Sequence, residues 1–154
     1  MTTIELTTYI KTSVEEAFDL SRNIDFHQQS ASHTKETAIA GVNTGYIGHG
    51  ESVTWRGKHF GLFLKHTSKI IDFERPSKFT DVMTEGHFTY FAHQHYFKNH
   101  NDGVIMSDIL TYKTPYGILG KLFDKIALKS HLTTFLKRRN QALKSYLEKT
   151  ESKQ

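Results

Sequence analysis

The chain has 154 residues, ten histidines, no cysteine and a formal net charge of +4. A chain of this length can bury roughly 70% of its unfolded surface as one domain without cross-links. Because cysteine is absent, disulfides, thiol catalysis and cysteine-ligated zinc are excluded.

The first fifty residues predict a strand, two short helices and a weak second strand. The first strand alternates apolar and polar side chains, which leaves one dry face. Thr12 and Glu15 have the spacing of a capping box that opens the first helix. The loop at residues 43–50 is rich in glycine but opens no helix, so it does not predict a phosphate cradle. In chain order these elements are Thr2–Lys11, Val14–Leu20, Ile24–Gln29 and Lys35–Ala40.

Five more strands follow at close spacing. An Asn-Asp-Gly turn at residues 101–103 is a strong hairpin signal, and an Arg-Pro-Ser turn at residues 75–77 ends another strand. Short connections of this kind predict an antiparallel meander. The strands are Glu51–Arg56, Leu62–Phe73, Lys78–Thr84, Phe88–Lys98 and Val104–Tyr112.

Residues 115–149 predict one long amphipathic helix with a basic outer face. Thr114 and Pro115 form a plausible start, a capping hydroxyl followed by a residue without a backbone donor. Gly117 and Gly120 each cost roughly 1 kcal/mol relative to Ala in a helix interior, so we expect the first turns either to be weak or to lie close against other atoms. The apolar stripe changes phase near residue 127, which predicts that the two halves face different surroundings. A helix of this length needs a large surface, and the strands before it predict a curved sheet.

The residues that carry a family resemblance extend over nearly the whole chain. They are Gly48–Gly61, Phe79–Asp81, Gly86–Phe88, Phe91–Phe97, Met106–Asp108, Pro115–Gly120 and Arg139-Asn140. With these residues the chain resembles the START-like (SRPBCC) superfamily of helix-grip proteins, which includes birch-pollen-allergen-like proteins and polyketide cyclases. The closer similarity is to a bacterial single-domain branch, which supplies no catalytic motif to transfer.

The resemblance implies an α+β helix-grip fold. Its seven-stranded curved antiparallel sheet would wrap around the C-terminal helix, with two short helices between the first two strands. It implies one ligand-binding domain over residues 1–150 and a C-terminal tail at residues 151–154. It also implies a cavity between sheet and helix for an apolar or amphipathic ligand.

Strand alternation selects the side chains that should face this cavity. On Phe88–Lys98 we place the phenylalanines and histidines inward. On Val104–Tyr112 we place inward the more apolar of the two alternating sets, which is Val104, Met106, Asp108, Leu110 and Tyr112. Large apolar residues on these facing strands predict an enclosed pocket of a few hundred Å3. The predicted ligand-binding residues are Trp55, His59, His66, Asp81, Met83, Phe91, His93, His95, Phe97, Met106, Asp108, Leu110 and Tyr112.

The inward faces bring His93 or His95 near Asp108, with at least one hydrogen bond between them. Three interpretations remain open: a buried polar network that specifies the core, a group that orients a ligand, or an acid–base pair. An aspartate partner should raise the pKa of the histidine it contacts, while burial lowers that of the other. A His-x-His pair is also a metal-ligand spacing, to which His66 or Asp81 would add a third ligand. Such pairs are frequent by chance in a histidine-rich chain, so no metal or other cofactor is predicted.

The favoured function is binding of a small hydrophobic or amphipathic molecule, as a carrier or a sensor. One alternative is a polyketide cyclase- or dehydratase-like enzyme with cavity His and Asp side chains as acid–base groups. Another is an interaction or membrane-surface module that uses the basic helix. That helix lacks interleaved exposed aromatic residues, so nucleic acid binding is not expected. Without a signal pattern or an apolar run of spanning length, we expect a cytoplasmic monomer or homodimer with no stable membrane insertion.

Overall fold

Seven antiparallel strands form one sheet in the computed structural model, which describes residues 1–153. The strand order across the sheet is β1-β7-β6-β5-β4-β3-β2, so only the β1–β7 pair is formed by strands distant in sequence. The strands are β1 Thr2–Ile10, β2 Thr37–Gly41, β3 Ser52–His59, β4 Leu62–Glu74, β5 Lys78–Glu85, β6 Tyr90–His100 and β7 Gly103–Lys113. The predicted α+β architecture is confirmed, and each strand end lies within three residues of its predicted position.

Two short helices connect β1 to β2, as predicted. They are α1 (Val14–Ser21) and α2 (Ile24–Ser30), and a short 3-10 turn follows at Ser32–Thr34. The predicted capping residues of α1 are wrong by one position. The Ser13 hydroxyl accepts a hydrogen bond from the backbone N–H of Glu16, because Ser13 is the last residue with extended backbone angles.

The C-terminal helix is continuous but has three parts. These are α3 (Gly117–Phe123), a π turn (Asp124–Leu128) and α4 (Lys129–Glu151). The π turn accommodates an additional residue, which accounts for the phase change that the sequence shows at the same place. The last helix extends one residue into the predicted tail, and residue 154 lies outside the described residues.

The start of α3 differs from the prediction. Thr114 does not cap the helix, because Tyr116 adopts left-handed backbone angles, Gly117 has a positive φ, and the helix begins only at Gly117. Gly120 is required by close packing: a Cβ atom there would lie 1.8 Å from the carbonyl oxygen of Pro115. Of the two expected alternatives, close packing is found at Gly120, whereas a Cβ atom at Gly117 would have no atom within 4 Å and the left-handed backbone angle there is what favours glycine.

A buried carboxylate attaches the π turn to the sheet. The Asp124 side chain accepts hydrogen bonds from the Tyr112 hydroxyl on β7 and the Thr2 hydroxyl on β1, each at 2.5 Å. Both strands belong to the end of the sheet opposite β2. The junction between α3 and α4 is therefore fixed over that end.

The helices fill only part of the concave face of the sheet. One hydrophobic cluster lies beneath α1 and the end of α4 and includes Phe18, Phe97 and Leu143. A second, smaller cluster lies where Leu128 and Leu136 meet β1 and β7. Between these clusters, the helix and the central strands leave a space that is not filled by side chains.

Candidate functional site in the cavity between sheet and helix

A cavity of about 670 Å3 lies between the sheet and the C-terminal helix. Its walls are largely apolar, because alternate side chains of the central strands face the inner side of the helix. The main apolar residues of the sheet wall are Trp55, Leu64, Phe79, Phe91 and Leu110. Those of the helix wall are Leu119, Phe123, Leu132, Phe135 and Leu136.

The cavity is open to solvent at one end, so the predicted enclosure is wrong. Most of its solvent-exposed lining residues lie at the start of the C-terminal helix and on the β3–β4 hairpin, with His87 of the β5–β6 turn beside them, which locates the mouth there. The ring of Phe60 on the hairpin contacts that of Phe123 on α3, with centroids 5.1 Å apart. The mouth is therefore bordered by aromatic side chains from two separate elements.

Eight of the thirteen predicted ligand-binding residues lie in the cavity wall. They are Trp55, His59, His66, Asp81, Phe91, His93, His95 and Leu110. Their strands alternate as predicted, so each of these side chains is on the concave face.

The structure places the other five predicted residues outside the wall. Phe97 and Met106 are on the concave face but pack into the core around α1, where Phe18 covers Phe97. Tyr112 is buried against the π turn. Met83 is half-buried near the end of β5, and Asp108 is fully buried beneath the histidines.

Four side chains form a connected polar group at the floor of the cavity. This floor network consists of Asp81, His93, His95 and Asp108. Three of them are in the wall, and Asp108 lies behind them in the sheet. The predicted proximity of His93, His95 and Asp108 follows from the β6–β7 register, which pairs His95 directly with Asp108.

Asp108 is the centre of the floor network. Its Oδ1 accepts a hydrogen bond from Nε2 of His93 at 3.0 Å, and its Oδ2 accepts one from Nδ2 of Asn140 at 2.7 Å. Nη1 of Arg139 lies 3.5 Å from the same Oδ1. Arg139 and Asn140 are adjacent buried residues of α4, so the helix supplies both a charge and a donor to this carboxylate.

His95 lies between two carboxylates. Its Nε2 donates to Oδ2 of Asp81 at 3.1 Å, and its Nδ1 lies 3.0 Å from Oδ1 of Asp108. The second contact is close enough for a strong charge interaction but lacks hydrogen-bond alignment, so Nδ1 has no hydrogen-bond partner among residues 1–153. The two histidine rings lie against each other with centroids 3.9 Å apart.

The two histidines of the floor network have pKa values shifted in opposite directions. Burial and the adjacent His95 lower the pKa of His93. Burial alone would also lower the pKa of His95, but its contacts with Asp108 and Asp81 outweigh this effect and raise it. Burial opposes ionisation of the two carboxyls as well, yet their histidine partners bring the pKa of Asp81 to about 2 and hold that of Asp108 well below its usual range.

The lowered pKa of His93 favours the neutral ring at neutral pH. Because a carboxylate only accepts hydrogen bonds, Nε2 of His93 carries its proton. Nδ1 of the neutral His93 ring is then an acceptor that has no partner among the described residues and is accessible from the cavity. His93 can accept a proton or a hydrogen bond from a bound molecule.

The same side chains also contain a possible ligand set for a metal ion. One atom each from Asp81, His93 and His95 lie within 4.8 Å of one another. Two histidines and a carboxylate are ligand types that first-row metals accept. In this structure the Nε2 atoms of both histidines are hydrogen-bonded to carboxylates, so metal binding would require these bonds to be exchanged.

A second group of ionisable residues in the wall was not predicted as a unit. This rim cluster consists of His27, Glu36, His59 and His131. Nε2 of His59 lies 3.1 Å from Oε1 of Glu36, and its Nδ1 lies 2.9 Å from Nε2 of His131 on α4. Burial opposes ionisation of Glu36, but the proximity of His27 and His59 brings its pKa to about 2.

Only the number of histidines in the sequence could have indicated the rim cluster. His59 and His131 are separated by 72 positions, and no periodic pattern links them. His27 comes from α2 and stacks on Trp55 of β3, with ring centroids 4.2 Å apart. The cluster therefore depends on how α2, β3 and α4 converge.

Comparison with known proteins gives structural matches only. No family model matches the sequence, and no curated protein matches it. A protein of Thermus thermophilus superposes with a TM-score of 0.72 at 17% identity, over 92% of this chain and 97% of that chain. A START superfamily protein of Mycobacterium smegmatis gives 0.71 at 14% identity, over 96% and 98% of the two chains. Major latex-like protein 151 of Panax ginseng gives 0.70 at 12% identity, over 95% and 97%.

The protein has the helix-grip fold. This fold is shared with a START superfamily protein and a major latex-like protein over nearly the whole of both chains, so the resemblance to helix-grip proteins is confirmed at the level of the fold. Within residues 1–153, no helix has the length and apolar character needed to cross a bilayer.

In this helix-grip protein the ionisable side chains of the wall are largely paired. The two carboxylates of the floor network contact His93, His95 and Arg139, and the carboxylate of the rim cluster contacts His27 and His59. Large apolar surfaces lie between these two groups. The cavity can hold the apolar part of a small molecule and offer hydrogen-bond acceptors to the end of that molecule that lies at the floor.

Proposed function

We propose that the protein binds one small hydrophobic or amphipathic molecule in the cavity, as a carrier or a sensor. The observation that supports this is the apolar cavity of about 670 Å3 with a polar floor. Small-molecule sites commonly have volumes of roughly 300–1,000 Å3 and a few polar groups that fix the orientation of the ligand. In this proposal residues 1–150 act as one ligand-binding unit.

The polar floor favours a ligand with a hydrogen-bond donor at one end. Nδ1 of His93 is an accessible acceptor, and the ionised Asp81 carboxylate is another acceptor in the wall. A hydroxyl or amine could donate to either of them, whereas a carboxylate would meet the charge of Asp81. The apolar remainder would lie between Phe91 and the Leu132 side of the helix.

A fluorescent probe tests whether the cavity takes up a ligand. Titration with the neutral dye N-phenyl-1-naphthylamine should show saturable binding to one site per chain. Leu132→Trp enlarges a side chain of the helix wall and should weaken dye binding at least about tenfold, because bulk replaces ligand volume. Lys137→Trp adds the same ring on the exposed side of the same helix and should bind the dye like the unchanged protein.

Two outcomes of this titration would contradict the proposal. The first is that the dye does not bind, and the second is that Leu132→Trp binds it as tightly as Lys137→Trp does. Native mass spectrometry of the protein purified from its own host should also show a co-purifying small molecule.

The opposite pKa shifts of His93 and His95 favour an acid–base enzyme as a second candidate function. Groups with separated pKa values in one site are suited to proton transfer. In this alternative His93 would act as the base on a polyketide-like substrate, and His95, whose pKa is raised, would stabilise developing negative charge in its protonated form. Turnover that His93→Gln abolishes, while dye binding remains, would support the enzyme over the carrier.

A further inference from the structure

The mouth of the cavity carries an unusual concentration of exposed apolar side chains. Six of them are on α3, the residue before it and the π turn: Tyr116, Ile118, Leu119, Leu122, Phe123 and Ile126. Ile118 is 82% exposed, Leu119 is 74% exposed and Ile126 is 71% exposed. Isolated exposed apolar residues are common on proteins, whereas a contiguous group of them marks a surface that contacts something.

The β3–β4 hairpin extends this apolar surface. Phe60 and Leu62 at the hairpin tip are also exposed, and Phe60 contacts Phe123 across the mouth. These two residues and the six at the start of the C-terminal helix together form the mouth surface. It surrounds the opening of the cavity, since Phe60, Leu62, Leu119 and Phe123 also belong to the cavity lining.

The helix is held so that this apolar side faces outward. Gly120 and Asp124 are buried and four residues apart, so they share the inner face of the helix. Ile118 and Leu122 lie two positions from them and therefore point to the opposite side. The Asp124 hydrogen bonds to Tyr112 and Thr2 maintain this orientation.

The charges around the mouth surface are almost all positive. Lys121, Lys125 and Lys129 are exposed along the helix, and Lys65 is an exposed residue of the lining on the hairpin. Residues 56–65 contain no acidic side chain, and the only one in residues 113–139 is the buried Asp124. The mouth surface therefore combines exposed apolar side chains with adjacent, exposed lysine side chains.

We propose that the mouth surface docks on the surface of an anionic lipid bilayer. Exposed apolar side chains beside lysines are the composition of helices that lie in the membrane interface. The apolar residues would enter the boundary of the acyl chains, while the lysines would contact anionic headgroups. A second copy of the chain is less favoured as the partner, because a two-fold symmetric contact would bring the lysines of both copies close together and they would repel each other.

Docking in this orientation places the cavity opening against the lipid. An apolar ligand could then pass between the bilayer and the cavity without crossing water. The passage of a ligand between bilayer and cavity rests on the proposed ligand-binding function, whereas docking on the bilayer does not.

Sedimentation with vesicles tests the docking directly. The protein should bind vesicles of phosphatidylcholine with one-third phosphatidylglycerol and bind pure phosphatidylcholine vesicles much more weakly. Lys121→Glu with Lys125→Glu should lower the partition coefficient for the anionic vesicles at least about 25-fold, at about fivefold for each lysine removed. Ile118→Asp with Ile126→Asp should lower it at least about tenfold, because the apolar contribution is lost.

Matched controls separate this site from general attraction of a basic protein. Lys69→Glu with Lys98→Glu makes the same change of charge on the outer face of the sheet and should change the partition coefficient by about threefold or less. All substituted side chains are exposed, so circular dichroism and the melting temperature should remain as in the unchanged protein. Dye binding in the cavity should also be retained, which distinguishes this test from that of the proposed function.

Three results would overturn the proposal. One is binding of both mouth-surface variants at the level of the unchanged protein. Another is an equal loss of binding by the control pair. The third is a dimer that Ile118→Asp with Ile126→Asp dissociates without effect on vesicle binding, which would assign the surface to a second copy.

Discussion

Asp108→Asn removes the charge at the centre of the floor network while keeping the size of the side chain. Asp108 is 0% exposed and contacts four polar groups, from His93, His95, Arg139 and Asn140. The side chain of asparagine has one carbonyl oxygen and one NH2 group, so the NH2 group must face one of these donors. The substitution therefore leaves a donor unpaired and reduces the negative charge beside the buried Arg139.

The size of the effect follows from the hydrogen bonds that the substitution removes. A hydrogen bond to a charged group contributes about 1.5–3 kcal/mol, and at least one of the bonds from His93 and Asn140 is broken. Removing one partner of a buried charge pair costs about 3–5 kcal/mol when the other charge stays buried. Because Asn can still accept one hydrogen bond, we expect a loss of about 3 kcal/mol in the free energy of unfolding at neutral pH. The pKa of His95 should fall, since Asp108 is a main cause of its increase.

Urea unfolding and NMR titration of the histidines measure these two effects. Asp102→Asn is the matched control, because Asp102 is an exposed carboxylate paired with Lys11 on the adjacent turn. Its unfolding midpoint should stay close to that of the unchanged protein. If Asp108→Asn is as stable as Asp102→Asn, or if the pKa of His95 does not move, our description of the floor network is wrong.

Two further predictions concern pH and backbone packing. Burial lowers the pKa of His93 and of His66. Below about pH 6.5 the unfolded chain therefore binds more protons than the folded protein does. The free energy of unfolding should fall on acidification by up to about 1.4 kcal/mol per pH unit for each of these histidines. The raised pKa of His95 acts in the opposite sense: its stabilisation is complete below about pH 6.5 and is lost as the pH rises through the raised value. Urea unfolding between neutral pH and pH 5 should show a net loss, and a gain on acidification would contradict it. Gly120→Ala should cost about 2–3 kcal/mol because its Cβ would meet the Pro115 carbonyl, whereas Gly48→Ala, with space for a Cβ, should melt near the unchanged protein.

Strand alternation made the inward faces of β6 and β7 predictable. His93, His95 and Asp108 are at alternate positions of a hairpin whose turn is clear in the sequence, and the register that pairs His95 with Asp108 follows from it. The extent of the cavity along those faces was not predictable. Phe97 and Met106 are on the same faces, but α1 packs over them, and the sequence does not say where a short helix will lie on the sheet.

The rim cluster and the second carboxylate of the floor depend on longer-range geometry. Glu36 follows a 3-10 turn and reaches His59 only because β2 pairs with β3. Asp81 meets His95 across the β5–β6 pair, where it is diagonal to it in the register. Local patterns identify the residue types available, and the packing of separate elements decides which of them meet.

The π turn lets one helix serve two different surroundings. Buried or cavity-lining positions recur every four residues at Gly120, Asp124, Leu128, Leu132 and Leu136. In a regular α-helix such a series rotates by about 40° at each step, so its two ends would face directions about 160° apart. A wider turn in the middle reverses part of this rotation. The inner face therefore stays on the sheet and the cavity along the whole helix, and the apolar side chains of α3 are left on the outer face at the mouth.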